Sequence, residues 1–462
     1  VEARKLNLLV IVSDEHDPAV SGCYGHPRVQ TPHLDRLAAQ GTRFERSYCA
    51  SPVCVPSRLA LLTGRYAHQV GAWDNDAVLD SSLPTWGHYL GGAGYETVLC
   101  GRTHFNGSDR RHGFERRTLD DLPFWYSTTP RAPDRNPGWR RTRGHVAFTR
   151  ASEDEPDPHL RRHDTYDADV AAQTVRFLQE RAGAPGERPW LHYCGMIHPH
   201  FPLVAPRAVL QRYDPAQVEL PPTWDERPAA QHPVIRQQRY ALGNDAPLAA
   251  DDVQRAIAAY WALTTLLDER VGRILEALDR SPLRENTVVL YTSDHGDMAG
   301  QHGMWQKHCF YEPSVRVPLL LRLPESLQGR LPARVAENVS LVDVLPTLLE
   351  LAGAPVPSDL PGRSLLSPAP ERAVFSELHT EGMVNAGYMI KRGPYKYCHY
   401  VDSAPQLFHT HEDPLEVRDL APDPSHAALR AELLAELRAV VDPEAVDGAA
   451  KRDQARRREG SA

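Results

Sequence analysis

The sequence predicts an α/β fold: a doubly wound, mostly parallel sheet flanked by helices, followed by a smaller C-terminal antiparallel β subdomain packed by a helix. Three observations predict it. Short apolar runs without alternation recur along the chain as far as Thr292, helical periodicities lie between them, and beyond Pro361 the texture changes to closely spaced short strands.

The elements follow in order. Leu6 to Val12 is the first apolar run, and Glu96 to Cys100, Trp190 to Gly195 and Thr287 to Thr292 repeat its character. Strands covered on both faces of a parallel sheet read this way, because neither face meets water. Thr31 precedes Pro32, with Leu34, Leu37 and Ala38 on one side and Gly41 at the end, which gives a helix its cap, first-turn proline and terminal glycine. A short helix is expected from Cys54, with Pro56 in its first turn and Gly64 as its stop. From Asp251 to Asp279, Val253, Ile257, Tyr260, Leu263, Leu267, Val271, Ile274 and Leu278 keep helical spacing, so this is a long amphipathic helix. Ala373 to Leu378, Gly387 to Lys391, Tyr395 to Tyr400 and Gln406 to Phe408 are the late strands, and His426 to Val441 is the helix upon them. Boundaries are expected at 1–365, 366–445 and 446–462, the last a basic tail with Arg456, Arg457 and Arg458 that reads as a mobile or intersubunit arm.

Composition excludes several classes. The 462 residues are 41% hydrophobic and 24% charged, as in ordinary folded chains. A net charge of -8, from 52 basic and 60 acidic residues, offers no broad basic face for nucleic acid. The longest apolar stretches, Leu8 to Val12 and Val317 to Leu321, fall far short of the roughly 18 residues that cross a membrane. Glu2, Arg4 and Lys5 leave no apolar signal segment before the first strand, so a cytoplasmic location is expected; a processed N-terminus would read the same, which leaves secretion or a periplasmic home open. Seven scattered cysteines without CxxC spacing predict neither a disulfide framework nor structural zinc. The 40 prolines concentrate in long connections, notably 122–158 and 201–247, expected as ordered excursions that carry selectivity. The first holds Arg131, Arg135, Arg140, Arg141 and Arg143 with Trp125, Tyr126 and Trp139, suited to an anionic or sugar ligand or simply to a solvated surface.

Chemistry gathers where the strands end. Ser13-Asp14-Glu15-His16 closes the first strand and Ser293-Asp294-His295-Gly296-Asp297 closes the strand near residue 290. In a doubly wound sheet such ends share one edge, so carboxylates from distant segments can converge there, and they repel one another unless a cation is present. Asp14, Asp294 and His295 therefore suggest a divalent metal. Two more strand ends, Gly101-Arg102-Thr103-His104 and Ile197-His198-Pro199-His200, bring protonatable or cationic groups to the same edge. The most specific element is Cys54-Val55-Pro56-Ser57-Arg58, followed by Leu62-Thr63-Gly64-Arg65, which sets a cysteine at a helix entrance where unpaired N–H groups favour an anion.

With this motif the chain resembles the type I sulfatases of the alkaline phosphatase superfamily, whose signature is CxPSR with LTGR downstream. The resemblance runs from Asn7 to about Ala421, and GRTHFNG, the HGFE of His112 to Glu115, the Asp294-His295 pair and WQKHCFYEPSVRVPLLL look most like the choline sulfatase and phosphonate monoester hydrolase branch. It implies that a modification enzyme converts Cys54 to formylglycine. The hydrated aldehyde attacks sulfur with one hydroxyl, and the second then ejects sulfate, a finish that a thiol cannot supply. It further implies that Asp14, Asp294 and His295, with Glu15 as a further ligand, hold one divalent metal, calcium first and manganese or magnesium next. Arg58 would steady the hydrate; Arg102, His104, His200 and Lys307 would neutralise the sulfuryl oxygens and the leaving group; Asn75 would contact substrate. His198, His302 and His308 stand behind these as further candidates. Many relatives carry lysine where Arg102 stands, and because arginine cannot donate a proton, protonation of the leaving oxygen would fall to His200 or Lys307.

The activity expected is hydrolysis of a sulfate monoester, with aryl, choline and sugar esters all open. Hydrolysis of phosphonate monoesters or phosphodiesters at the same site is the alternative, since both ester classes are tetrahedral. A non-catalytic anion-binding protein with Cys54 as a thiol is the third reading. The resemblance also implies a homo-oligomer, a dimer or tetramer.

Overall fold

The computed structural model describes residues 5–122, 158–183, 188–367 and 372–459. Its strands are β1 (Asn7–Asp14), β2 (Thr42–Tyr48), β3 (Glu96–Gly101), β4 (Arg116–Leu119), β5 (Trp190–Pro199), β6 (Thr287–Ser293), β7 (Arg316–Val317), β8 (Leu319–Arg322), β9 (Arg334–Ser340), β10 (Val374–Leu378), β11 (Gly387–Arg392), β12 (Tyr395–Tyr400) and β13 (Gln406–His409). The principal helices are α1 (Pro32–Ala39), α2 (Cys54–Thr63), α3 (Trp86–Gly92), α4 (Pro158–Gly183), α5 (Pro233–Leu242), α6 (Ala250–Asp279), α7 (Val344–Ala352), α8 (Ala427–Val440) and α9 (Pro443–Glu459).

Nine strands form the first sheet in the order β4-β3-β5-β1-β6-β8-β2-β7, with β9 beside β2. From β4 through β6 the pairings are parallel; β8 turns antiparallel against both β6 and β2. All eight residues of β1 are buried, and their alternation divides the core. Leu8, Val10 and Val12 meet Leu59 and Leu62 of α2, Trp86 of α3 and Leu345 of α7 on one face. Leu9 and Ile11 meet Leu34 of α1, Val170 and Leu178 of α4, and Leu267 and Ile274 of α6 on the other. Each such fully buried side chain contributes about 1.5–3 kcal/mol, so helices on both faces are what the unbroken apolar runs require.

Two elements differ from what the apolar pattern offers. β2 reads TRFERSY, yet Phe44, Ser47 and Tyr48 are buried while its charges reach the sheet margin, Arg43 pairing with Glu45 at 2.7 Å. Helix α4 carries the buried stripe Tyr166, Val170, Thr174, Phe177 and Leu178, interrupted by a threonine and diluted by surrounding charge. The connection at 201–247 is ordered, as expected, and includes α5. The arginine- and tryptophan-bearing part of the 122–158 loop, with Trp125, Tyr126, Arg131, Arg135, Trp139, Arg140, Arg141 and Arg143, lies outside the described residues.

The second sheet is the antiparallel meander β10-β11-β12-β13. Phe375, Tyr388, Ile390, Tyr397 and Leu407 bury against Leu433 and Leu437 of α8, and the same cluster takes in Ala60, Tyr66 and Val342 from the first part of the chain. The basic tail is a correction to the sequence reading: through Glu459 it is helix α9, docked along the protein with Asp447, Ala450 and Gln454 buried, rather than a mobile arm. All seven cysteines are free, and among the described residues no helix is long and apolar enough to cross a membrane.

Candidate active site

Parallel strands β1, β3, β5 and β6 end on one edge, and there Asp14, Arg102, His200 and Asp294 come together as the strand order predicts. Helix α2 points its N-terminus at the same place, with Cys54 as its first residue behind the extended Val53. All ten residues of α2 are buried, so the helix entrance is fixed by the core. At its far end Gly64 takes φ 66°, and a Cβ there would come within 2.8 Å of Leu345, so a turn this close to α7 needs glycine.

Asp14 and Asp294 are both fully buried and Arg58 spans them, Nη2 to Asp14 Oδ2 at 3.0 Å and Nε to Asp294 Oδ2 at 2.8 Å. Arg102 Nε also pairs with Asp14 Oδ2. Burial opposes ionisation of Asp14, but Arg102, His200 and Arg58 overcome it and hold the carboxyl well below its usual range. The other oxygens face a shared point. His295 Nε2 lies 3.7 Å from Asp14 Oδ1, 3.6 Å from Asp294 Oδ1 and 3.2 Å from Cys54 Sγ. Its Nδ1 stands 3.1 Å from Gly296 O, and since a carbonyl only accepts, Nδ1 is the donor there and Nε2 is the ring nitrogen turned to the two carboxylates and the thiol. Asp14, Cys54, Asp294 and His295 thus place one donor atom each within 4.8 Å of one another. Hard carboxylate oxygens with an imidazole nitrogen so oriented fit a divalent cation.

Glu15 stands differently from those four residues. Its backbone N donates to Asp294 Oδ1 at 3.2 Å, but at φ 69° its carboxyl turns to Lys307 Nζ at 3.1 Å and His200 Nε2 at 3.4 Å. It converges with Asp14 and His200 instead of with Asp294 and His295. Burial pushes its carboxyl up to about 8 against the pull of Lys307. Lys307 stays charged, since Cys54, Glu15, Asp14 and Asp294 outweigh its burial. Burial and then Lys307 hold the His200 imidazole well below its usual range, and burial and then Arg102 do so for His104. The Cys54 thiol is pushed up to about 12 by burial and by Asp14 beside it.

Apart from Asn75, the side chains that aim these groups escaped the sequence reading. Asp121 accepts from Thr103 N, Thr103 Oγ1 at 3.0 Å and His104 N at 3.0 Å, which holds His104 at φ 59° with Nδ1 3.2 Å from Arg102 Nη2. Asp167 of α4 accepts from the backbone N of Ile197 and His198 at 2.8 and 2.9 Å, bracing the segment that carries His200. Tyr193 Oη receives Arg58 Nη1 at 3.0 Å and donates to Arg102 O at 2.9 Å. Asn75 Oδ1 accepts from Val55 N at 2.9 Å, next to Cys54. A carboxylate just past a strand end is the only sequence signal for Asp121, Asp167 inside α4 has none, and nothing local marks the partners of either. His198 is occupied by Asp167 at 2.9 Å, and His302 by Glu226 at 2.6 Å while stacked 3.9 Å from Tyr311, so both are held away from the cluster. His308 is buried beside Lys307, and its backbone N donates to Pro52 O at 3.3 Å.

Comparison with known proteins gives the family. A family model described as Sulfatase matches residues 6–354, and one described as N-sulphoglucosamine sulphohydrolase, C-terminal, matches 300–442. A choline-sulfatase of Rhizobium meliloti (strain 1021) is 33% identical over 98% of this chain and 90% of its own. Among solved structures, a phosphonate monoester hydrolase from Silicibacter pomeroyi aligns with a TM-score of 0.75 at 26% identity, covering 94% of each chain. A 2-O GAG sulfatase aligns at 0.73 and 25% identity over 94% of this chain and 91% of its own. Matched by the Sulfatase model over three quarters of its length and 33% identical to a choline-sulfatase across nearly all of it, the chain belongs to the sulfatase family, a family of sulfuric ester hydrolases.

Proposed function

We propose that the protein hydrolyses the sulfate monoester of a small alcohol, using an oxygen nucleophile made from Cys54 and a divalent cation, calcium, held by Asp14, Asp294 and His295. The observation that carries this is the convergence of those four residues within 4.8 Å. Converted to formylglycine, residue 54 supplies in its hydrate one hydroxyl for attack and a second for release of sulfate. The cation supplies a Lewis acid beside the ester.

The chain's own residues do the rest. Arg58 bridges Asp14 and Asp294 and keeps the ligand oxygens aimed. Arg102, His104 and Lys307 surround the crevice with donors for the sulfuryl oxygens, preorganised so that little reorganisation is needed as charge develops. His200 Nδ1 donates to Phe201 O at 2.5 Å, so Nε2 is the ring nitrogen through which a proton would pass to the leaving oxygen, and because burial and Lys307 keep the resting ring neutral, it must first take that proton up. His200→Ala should then slow an unactivated alkyl sulfate about a hundredfold and an activated aryl sulfate less than tenfold; equal losses would remove His200 from that role.

Intact mass tests the nucleophile, because conversion of Cys54 removes about 18 Da. Metal analysis of the purified protein and chelation test the cation: turnover should fall on the order of a thousandfold and return with calcium, manganese or magnesium to rank them. The leaving alcohol is identified by a panel of aryl, choline and sugar sulfates. Phosphonate monoester or phosphodiester hydrolysis is the second reading, favoured by the likeness to the phosphonate monoester hydrolase, and an aryl phosphonate in the same panel decides it. The reading requires a formylglycine-generating enzyme as partner, and it is accompanied by a cytoplasmic location and a homo-oligomer, which light scattering on the purified protein measures.

A further inference from the structure

Helix α9 reaches back to the nucleophile helix through one buried carboxylate. Gln454 Nε2 donates to His379 O at 3.2 Å and to Asp74 Oδ2 at 2.8 Å. Arg457 closes on the same carboxylate with both terminal nitrogens, Nη1 to Oδ1 and Nη2 to Oδ2, each at 2.8 Å, while Nε keeps Asp453 at 3.2 Å. A two-pronged arginine–carboxylate contact fixes orientation as well as distance. Asp74 is 1% exposed, so the contact is shielded from water.

The next residue faces the other way. Asn75 Oδ1 accepts from Val55 N at 2.9 Å, and Asn75 O accepts from Asn106 Nδ2 at 2.8 Å. Val55 lies in the first turn of α2, where N–H groups have no partner within the helix. The carbonyl end of the amide must therefore face Val55, which settles its orientation and leaves Nδ2 as a donor without a partner among the described residues. We propose that Arg457 is a positioning residue: by holding Asp74 it fixes the Asn75 amide against the turn that carries Cys54. The proposal rests on Cys54 being the nucleophile.

The test uses Arg457→Ala and Arg457→Lys in the full chain, with kcat and KM on an aryl sulfate normalised to aldehyde content by intact mass. Arg457→Ala should lower kcat about tenfold and move KM less than twofold, with Arg457→Lys between, since lysine keeps the charge and loses the fork. Deuterium uptake at Val55 should rise in the same order. The decisive arm repeats Arg457→Ala in an Asn75→Ala background, where it should cost nothing further because both act through one amide. Losses that multiply in the double variant, or a lowered unfolding midpoint with kcat per aldehyde unchanged, would overturn the proposal. If Arg457→Ala does not fold, Arg457→Lys carries the same double-variant test. If the wild-type chain holds no aldehyde, the nucleophile reading fails by itself, and unchanged uptake at Val55 in the variants would separately refute the clamp.

Discussion

Lys307 and Lys396 are both buried lysines with carboxylates in reach, and they are used in opposite ways. Lys396, at the junction of the two sheets, places Nζ 2.7 Å from Glu312 Oε1, 2.7 Å from Glu416 Oε1 and 2.7 Å from Phe310 O. An ammonium has three hydrogens, so each is spent inside the protein. Lys307, in the crevice, has among the described residues one carboxylate in ion-pair range, Glu15 at 3.1 Å, and otherwise lies 5.2 Å from the centre of the Phe201 ring. The same contrast holds around them. Tyr48 donates to Glu312 at 3.0 Å and Glu416 accepts from Glu312 N at 2.6 Å, whereas Asp14 Oδ1 and Asp294 Oδ1 turn toward a shared point with Cys54 and His295. A buried charge cluster closed on itself holds the fold, and one whose free valences converge holds something else.

The sharpest way to break this contrast is at the point of convergence. Cys54→Ala should abolish turnover of an aryl sulfate, a loss on the order of ten-thousandfold or more, while the circular dichroism spectrum stays that of the wild type. Residual activity near the wild-type level would mean that the crevice works without residue 54.

A reciprocal pair of substitutions sharpens it next. Lys396→Ala leaves Glu312 and Glu416 buried with a partner missing and should cost about 3–5 kcal/mol in urea unfolding. Lys307→Ala should cost on the order of a hundredfold or more in kcat/KM, with a smaller change in the unfolding midpoint. If the two variants lose stability and activity in equal proportion, the distinction between closed and open clusters fails.

The smallest effect concerns pH at the junction. Glu377 accepts from His68 Nδ1 at 2.9 Å and His379 Nε2 at 2.8 Å in a fully buried setting. Burial pushes its carboxyl up, but His68 and His379 outweigh this and hold it at about 2, below the ordinary 4.5. Since the folded value is the lower one, this contribution is present above pH 4.5 and is lost as pH falls toward 2. It amounts to about 3 kcal/mol. The gap in urea midpoint between wild type and Glu377→Gln should therefore narrow across that window; a gap independent of pH would contradict it.

Much of the fold was legible because burial leaves a trace in each residue separately. β1, β3, β5 and β6 showed as unbroken apolar runs, and the late strands showed by spacing. β2 and α4 were not legible: Arg43, Glu45 and Arg46 give β2 a polar texture, and α4 buries a narrow stripe among charges. At the site, Asp14, Asp294, His295, Cys54, Arg58, Arg102, His104 and His200 were readable as residues at strand ends or in one motif, and Lys307 came only with the family resemblance. Asp74, Asp121 and Asp167 were not, because an isolated aspartate says nothing of its partner.

By itself the sequence determined which residues are interior, where the parallel strands end and which helix opens with Cys54, since hydrophobicity and turn chemistry act over a few neighbouring positions. Only the tertiary structure decided which charges close on one another and which are left facing a common point: Arg457 on Asp74, Lys396 between two glutamates, Glu15 turned to Lys307. Coulomb and hydrogen-bond energies depend on distance and direction between pairs of atoms, and for residues hundreds of positions apart those are fixed by packing alone.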